Sequence, residues 1–573
     1  MMPSPLDRSW RPTRRYLLGA AAASLAGRAT PAAAEESTDR TESFVLTADA
    51  NKDGEYLYLP FTVPKGVRRV DLELSKSGGD ASVGIGLFDH RGPQYQSDGF
   101  RGMYGAERRT CYVSASDASR SFFPGPVNPG TWTAFVPVFD LTRPTTISVR
   151  VTLTYGRSSE STPAPRQGRS VPVVSSEPGW YGGDLHTHTP ESSDAWASGS
   201  ALSPRGWAER AATTGLDFVS LTDHNVVTQN LQRRRAMRSQ GNDVLLLGGE
   251  EMTNFFHGHA TVTGLEGDQW VDFRQRPRGI PLRDHEARIQ QFVRTTRRFG
   301  TYTAAAHPML AINDNEWDFF YEALEDPTAR LDGMEVWSGP WTPDDEASLR
   351  LWDRLLQAGW RITGSGGSDT HDKDGGDFGL QPGTPTTRVY AESLSTPGIV
   401  RGLRQGRVHI SVAPDGPELL LEGCADGSTA MIGETLTAPP DATVTFEATV
   451  RGGGGHTLFF VRDGEQTTAT RIRRDEETVT VTQPMGPGGY LRLELRGRPD
   501  IRPDEVKRSR GGMKALTNPI FLSPDGTEPS DPSVRQSATG TDDDPPAIVR
   551  DGLVKRPSTE TTLHTCHSCG TEH

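Results

Sequence analysis

The alternation of apolar and polar residues divides the chain into stretches of different character. Between residues 43 and 157, runs such as YLYLPFTV, RRVDLELS, SVGIGLFD, WTAFVPVF and TISVRVTL are separated by clusters of Gly, Pro, Asp and Ser. A period of two sends successive side chains to opposite faces of an extended chain, so these runs read as half-buried strands. Short strands at even spacing with turn signals between them predict an N-terminal β-sandwich. The Ser-, Pro- and Arg-rich stretch GRSSESTPAPRQGRS then marks a linker, placed at 158–177.

The pattern changes over 178–412, where apolar runs of strand length alternate with amphipathic stretches of helix length. SPRGWAERAATTG, with Ser203 as N-cap and Pro204 in the first turn, leads into LDFVSLTDHN. HEARIQQFVRTTRRFG leads into TYTAAAHP, and ASLRLWDRLLQAG into WRITGSGGSDTH. Repeated helix–Gly–strand units predict an α/β layered or barrel domain with parallel strands. Functional groups in such domains gather at the carboxyl ends of the strands. From 413 to 523 the β pattern returns (ATVTFEATV, HTLFFVRDG, YLRLELRG) and predicts a second small sandwich. The remainder, 524–573, is polar and reads as a disordered tail.

Charge and composition narrow the partners. A formal net charge of −13 argues against nucleic acid as a general partner, because that binding rests on neutralising phosphates. No interior run approaches the ~20 apolar residues of a membrane span, so no transmembrane segment is expected after the N-terminus. Arg14-Arg15, the apolar LLGAAAASLAG and Ala32-Ala33-Ala34 have the layout of an export signal over 1–34, of twin-arginine type. The expected destination is the periplasm, the envelope or the exterior. Removing that segment takes away five Arg and one Asp, so the charge becomes −13 − 5 + 1 = −17. Four cysteines (Cys111, Cys424, Cys566, Cys569) are too few and too scattered for a disulfide framework. In the tail, Cys566 and Cys569 lie near His564, His567 and His573, yet one C-x-x-C without a partner pair falls short of a zinc site.

Metal-binding side chains follow one apolar run after another in the central region. GGDLHTHT places His186 and His188 two positions apart, hence on one side of an extended chain, with Asp184 on the same side. Asp194 follows in ESSD; LTDHN supplies Asp223 and His224; LLLGGEEMT ends in Glu250 and Glu251. HGHATVTGL supplies His257 and His259, AAAHP supplies His307, and GSDTHD supplies Asp369 and His371. Any one of these alone reads as a hydrogen-bonding cap at a strand end. Asp223 fits the role of orienting its neighbour, and alternation turns Glu250 away from Glu251. Together, imidazoles and carboxylates at matching positions suit Zn²⁺, Mn²⁺ or Fe²⁺.

The ordered set DLHTHT, LTDHN, GEEMT, HATVTGL, AAHP and GSDTH resembles the polymerase-and-histidinol-phosphatase (PHP) metallohydrolases. LPFTVPKGV and TNPIFL resemble the carbaryl-hydrolase-like branch of that family. The resemblance spans residues 55 to 415 and is strongest over 183 to 371. It implies a distorted (β/α)7 barrel, flanked here by the two β domains, with two or three divalent ions at one mouth. By matching motif, His186, His188, Glu251 and Asp369 would hold a first metal. Glu251 would bridge to a second with His259 and His307, and Asp194, His224 and His371 would hold a third. Asp194 stands six residues after His188, against five in the family pattern, which weakens the third set.

Metal ions sharing carboxylates lower the pKa of a bridging water and neutralise charge on the oxygens it attacks. The expected activity is therefore hydrolysis of a small phosphoester substrate by a metal-bridging hydroxide. The same chemistry extends to carbamates and carboxylic esters, and a metal-bearing binding protein for a polysaccharide or envelope component is the alternative from another class. His224 or His257 would serve as general acid where not committed to metal. Lys373 and Arg388, after the last ligand run, are candidates for an anionic group of the substrate.

Overall fold

The computed structural model describes residues 40–156, 170–310, 320, 323, 326–376, 379–497 and 512–524. The expected export signal, residues 158–169 of the linker and the Cys/His tail lie outside the described residues. The N-terminal part forms two antiparallel sheets face to face. In Val67–Ser77, Val70, Leu72 and Leu74 are buried while Glu73 and Ser75 face out. They sit opposite Leu153, Val151 and Val149 of Thr145–Tyr155. Trp132, Ala134, Val136 and Val138 of the other sheet close the same core. Alternation with one apolar face per sheet is what a sandwich requires.

The central strands form one long mixed sheet. Its order runs Thr363–Gly367, Gly333–Ser338, Tyr302–Ala305, Gly258–Thr263, Leu245–Asn254, Phe218–Leu221, Gly179–Thr187, Thr386–Ala391 and Val408–Ser411. Gly179–Thr187, Phe218–Leu221 and Leu245–Asn254 pair in parallel, as do the three strands beginning at Tyr302, Gly333 and Thr363. Between these groups the pairing is antiparallel, because Asn254 turns straight into Gly258. A parallel crossover needs a dozen or more residues, and Phe255, Phe256 and His257 can only turn a hairpin. Thr386–Ala391 also joins Gly179–Thr187 antiparallel. The distorted (β/α)7 barrel implied by the resemblance is not shown by this pairing; the fold is mixed α/β, rich in strand and sparing in helix. The two flanks of the sheet nonetheless approach each other at the strand ends, where Asp369 N donates to His186 O and His188 N to Thr370 O.

Helices brace this sheet from outside. Pro204–Thr214 starts at Ser203, whose hydroxyl accepts from Gly206 N, and stops at Gly215 with φ 78°. It buries Trp207, Ala208 and Ala211. Pro343–Gln357 opens with a reciprocal cap between Thr342 and Asp345.

The sheet also runs across the boundary expected at 413. Val408–Ser411 pairs with Gly512–Thr517, which continues into Gly489–Gly497 and Thr457–Arg462. The separate layer Ser428–Met431, Glu418–Ala425, Thr443–Arg451 and Glu476–Pro484 packs on that extension. At the seam His409 is buried against Trp180, with ring centroids 4.9 Å apart. Burial, reinforced by Arg388, lowers its pKa to about 3. The unfolded chain takes up this proton from about pH 6.5 downward while the native state refuses it until about 3. Stability is thus full above that window and falls as pH drops through it. His409→Leu should melt with a shallower pH dependence than wild type between pH 6.5 and 4 in a thermal-shift series.

Candidate metal centre

The site lies where the central strands end. His186 and His188, at the end of Gly179–Thr187, are fully buried and project to one side. Asp184, two residues earlier, accepts from the backbone N–H groups of His186 (3.2 Å), Ser368 (3.0 Å) and Gly383 (2.8 Å). Burial pushes it up to about 6 against those donors, and its bonds tie the first strand to the segment bearing Asp369. On Leu245–Asn254, alternation separates the two glutamates. Glu250 accepts from Val271 N at 2.8 Å on the far face, whereas Glu251 enters the cluster.

Glu251 is the centre of the arrangement. Its Oε2 stands 3.2 Å from His186 Nε2, 3.2 Å from His188 Nε2 and 3.0 Å from His224 Nδ1. Its Oε1 stands 2.8 Å from His259 Nδ1 and 3.4 Å from His307 Nε2. Asp369 Oδ1 closes one group at 3.3 Å from His186 and 3.0 Å from His188. Asp194 Oδ2 lies between His224 Nε2 (3.2 Å) and His371 Nε2 (3.1 Å). The loop after His188 therefore accommodates the extra residue before Asp194.

Among the described residues, three groupings have ligand atoms all within 4.8 Å of one another: His186, His188, Glu251 and Asp369; His224, Glu251 and His259; and His188, His224 and His371. His307 reaches Glu251 and, at 3.9 Å, Asp369 Oδ2. The donor atoms fit a cation. His186 Nε2, His371 Nε2 and Glu251 Oε2 are buried without a hydrogen bond, although His186 Nε2 and Glu251 Oε2 stand 3.2 Å apart. Buried polar atoms are almost always hydrogen-bonded, so convergent ones that are not imply a body between them.

Electrostatics give the same picture. Burial opposes charge on His186, yet Glu335, Glu251 and Asp369 outweigh it and hold the imidazole well above its ordinary value. Glu251 is held well below the usual carboxylate range because His224, His186 and His259 overcome its burial. Asp194 is likewise depressed, against burial, by His224 and His371, and His371 is pushed up to about 9 by Asp194. His188 is lowered by burial and by His371 and His224, which favours the neutral imidazole, the form that can serve as a metal ligand. Buried carboxylates this close call for compensating positive charge, which a divalent ion would supply.

The backbone is strained at the same place. Asn225, His307 and Asp369 have φ of 54°, 28° and 52°, in the left-handed region that side chains disfavour. Each is pinned: Asn225 N donates to Glu251 O (3.0 Å), His307 N to Glu335 Oε2 (2.9 Å) and Asp369 N to His186 O (2.9 Å).

Glu335 is the residue that sequence reasoning missed. It sits inside the strand Gly333–Ser338, in GMEVWS, where nothing in its local pattern separates it from an ordinary buried position. Besides His307 N, it accepts from His186 Nδ1 at 2.9 Å, leaving Nε2 free to face Glu251. Such partners typically change metal affinity 10- to 100-fold. Glu335→Gln should weaken metal binding by about that factor in a competition titration with a chromophoric chelator.

Other candidates are placed elsewhere. His257 does not join the converging donor atoms: its amide donates to Asn254 Oδ1 at 3.0 Å, and burial with Arg288 nearby lowers its pKa to about 3. Arg388 is spent on Glu418 (3.1 Å) and on Pro414 O (2.6 Å). Lys373 is half exposed, 3.8 Å from Asp374. Asp223 accepts from Thr189 N (2.7 Å), Thr189 Oγ1 (2.8 Å) and Ser192 N (3.0 Å), and so shapes the loop between His188 and Asp194.

No family model matches the chain. No curated protein matches it either. Among solved structures, it is similar to a two-domain protein from Bacteroides vulgatus containing a predicted PHP-like metal-dependent phosphoesterase. That pair is 18% identical with a TM-score of 0.33, covering 63% of this chain and 99% of the other. It is also similar to an amidohydrolase from Chromobacterium violaceum with bound sulfate and no metal. There the identity is 20% and the TM-score 0.24, covering 33% of this chain and 87% of the other.

Proposed function

We propose that this chain is a metal-dependent hydrolase of small phosphoesters that works with two or three Zn²⁺, Mn²⁺ or Fe²⁺ ions. The observation that carries the reading is Glu251, whose two oxygens serve different histidines: Oε2 faces His186, His188 and His224, and Oε1 faces His259 and His307. A carboxylate shared in this way joins neighbouring ions into one centre. When bound, the ions supply an activated water and neutralise charge on the ester oxygens. His186, His188 and Asp369 would hold the first ion with Glu251, His259 and His307 the second, and Asp194, His224 and His371 the third. Glu335 and Asp184 keep the first pair of imidazoles aimed, and Asp223 keeps the following loop folded around them. His224 Nε2 faces Asp194 at 3.2 Å, and Nδ1 faces Thr253 Oγ1 at 2.7 Å and Glu251 at 3.0 Å, which favours a metal-holding role for the ring over a general-acid one.

A phosphoester is favoured over a neutral ester because clustered cations reward an anionic substrate most. The test is metal analysis of the purified protein, followed by assay of the Zn-, Mn- and Fe-loaded forms on p-nitrophenyl phosphate, bis-p-nitrophenyl phosphate and aryl esters and carbamates. Chelator-sensitive cleavage of a phosphate ester is the expected result. Turnover of neutral esters alone would transfer the reading to a carbamate or carboxylic ester hydrolase. Retained biological activity in metal-free Glu251 and His307 variants would favour a binding protein. We place the enzyme outside the cytoplasm on the layout of residues 14–34, and a fractionation that finds only uncleaved protein in the cytosol would overturn that.

A further inference from the structure

The loop between His188 and Asp194 is gripped from outside the central sheet. Ser193, beside Asp194, donates its hydroxyl to Glu107 Oε2 at 2.6 Å and accepts from Gly105 N at 3.0 Å. Glu191 accepts from Ser121 N at 2.6 Å, and its backbone oxygen accepts from Ser121 Oγ. Arg120 adds an ion pair to Glu191 at 3.4 Å. The Arg108 guanidinium lies between the rings of Tyr104 (4.4 Å) and Trp196 (4.1 Å), and Trp196 belongs to the short helix Ser193–Ser198 that carries Asp194. Gly105, Glu107, Arg108, Arg120 and Ser121 all come from the N-terminal β-sandwich.

On the inner side the same loop touches the ligands. Ser192 Oγ lies 3.0 Å from His188 Nδ1 and accepts from His224 N at 3.0 Å. Glu191 also takes Thr228 Oγ1 (2.7 Å) and Gln232 Nε2 (3.0 Å), so it is the post between sandwich and sheet. The segment 189–194 is thus held between sandwich and sheet, with Ser192 meeting His188 and His224 and Asp194 meeting His224 and His371.

We propose that the N-terminal β-sandwich is a working part of the metal centre, with Glu107 and Ser121 as positioning residues that set Asp194 and so decide whether the third ion binds. This rests on the metal reading of the site given above. Two geometric details make the grip specific. A Cβ on Gly105 would stand 2.7 Å from Ser193 Oγ and 2.7 Å from Glu107 Oε2, so the turn closes on the loop with no room to spare. Ser121 has φ 64°, a left-handed conformation held where its amide and hydroxyl both meet Glu191. A sandwich that merely captured substrate would need neither.

The experiment uses the full chain. Wild type, Glu107→Ala, Glu107→Gln and Ser121→Gly are equilibrated with buffered Zn²⁺, and metal per chain is measured by elemental analysis across free-metal concentrations. Wild type should bind three ions. Glu107→Ala should keep two and bind the third about 10- to 100-fold more weakly, as loss of an orienting partner typically does. Glu107→Gln keeps an acceptor for Ser193 and should recover most of that affinity. Ser121→Gly retains the left-handed backbone but loses the hydroxyl, and should show the same selective loss even if Glu107→Ala fails to fold. Folded Glu107→Ala and Ser121→Gly variants with wild-type binding of all three ions would overturn the proposal. So would a wild-type chain that takes two ions and no third. A wild-type chain that binds none would instead sink the metal reading itself.

Discussion

Glu251→Gln should abolish the metal centre while leaving the fold in place. The substitution preserves shape but removes the charge that balances His186, His188, His224, His259 and His307. It also replaces one acceptor oxygen by an amide that donates, so one set of imidazoles loses its partner. Because both oxygens serve different histidines, two ions depend on one side chain. Hydrolysis should fall by at least about 1000-fold, equivalent to roughly 4 kcal/mol of transition-state stabilisation. Elemental analysis should show the loss of bound metal alongside it. A variant that keeps its metal and more than a tenth of its activity would show that Glu251 is not the shared ligand.

The second large effect lies far from the site. Arg492, 1% exposed on Gly489–Gly497, meets Asp353 of Pro343–Gln357 through two bonds, Nε–Oδ1 at 2.9 Å and Nη2–Oδ2 at 2.7 Å. It also lies 2.8 Å from Glu494 Oε1. Tyr490 donates to Asp353 at 2.8 Å, and Arg496 extends the network to Glu494 at 2.6 Å and to Glu346. This buried group joins the C-terminal strands to a helix of the central domain. Arg492→Met would leave Asp353 buried without its cation and Glu494 with Arg496 alone, which costs about 3–5 kcal/mol. Chemical denaturation should show that loss, and adding Asp353→Leu to Arg492→Met should recover part of it, because a neutral apolar pair carries no stranded charge. If the single variant is as stable as wild type, the network does not hold the two parts together.

Much of the site could be read along the chain because its ligands follow apolar strand runs in short, local patterns. His186 and His188 share a side by the period of a strand, and the same period separates Glu251 from Glu250. His257 and His259 show the limit of that pattern. His257 lies in the turn at 254–258 and His259 just after it; His259 meets Glu251, and His257 donates its amide to Asn254, a difference that residue spacing across a hairpin turn does not encode. Glu335 was invisible for the opposite reason: it sits mid-strand in apolar company, and only its contact with a histidine 149 residues away gives it a role. Helix–strand alternation predicted parallel strands throughout the centre, but it says which elements exist and not which way neighbouring strands run.

From sequence alone came the strand-rich ends, the α/β centre and the inventory of metal-binding side chains, all properties carried by local periodicity and residue chemistry. The tertiary structure decided three things that depend on long-range pairing. It turned the central sheet antiparallel at Asn254–Gly258, because the connection is too short to cross over. It carried that sheet past residue 413 through the pairing of His409 with Thr517. And it brought Glu107 and Ser121 against the loop before Asp194, a contact between chain segments some seventy to ninety residues apart that no local pattern encodes.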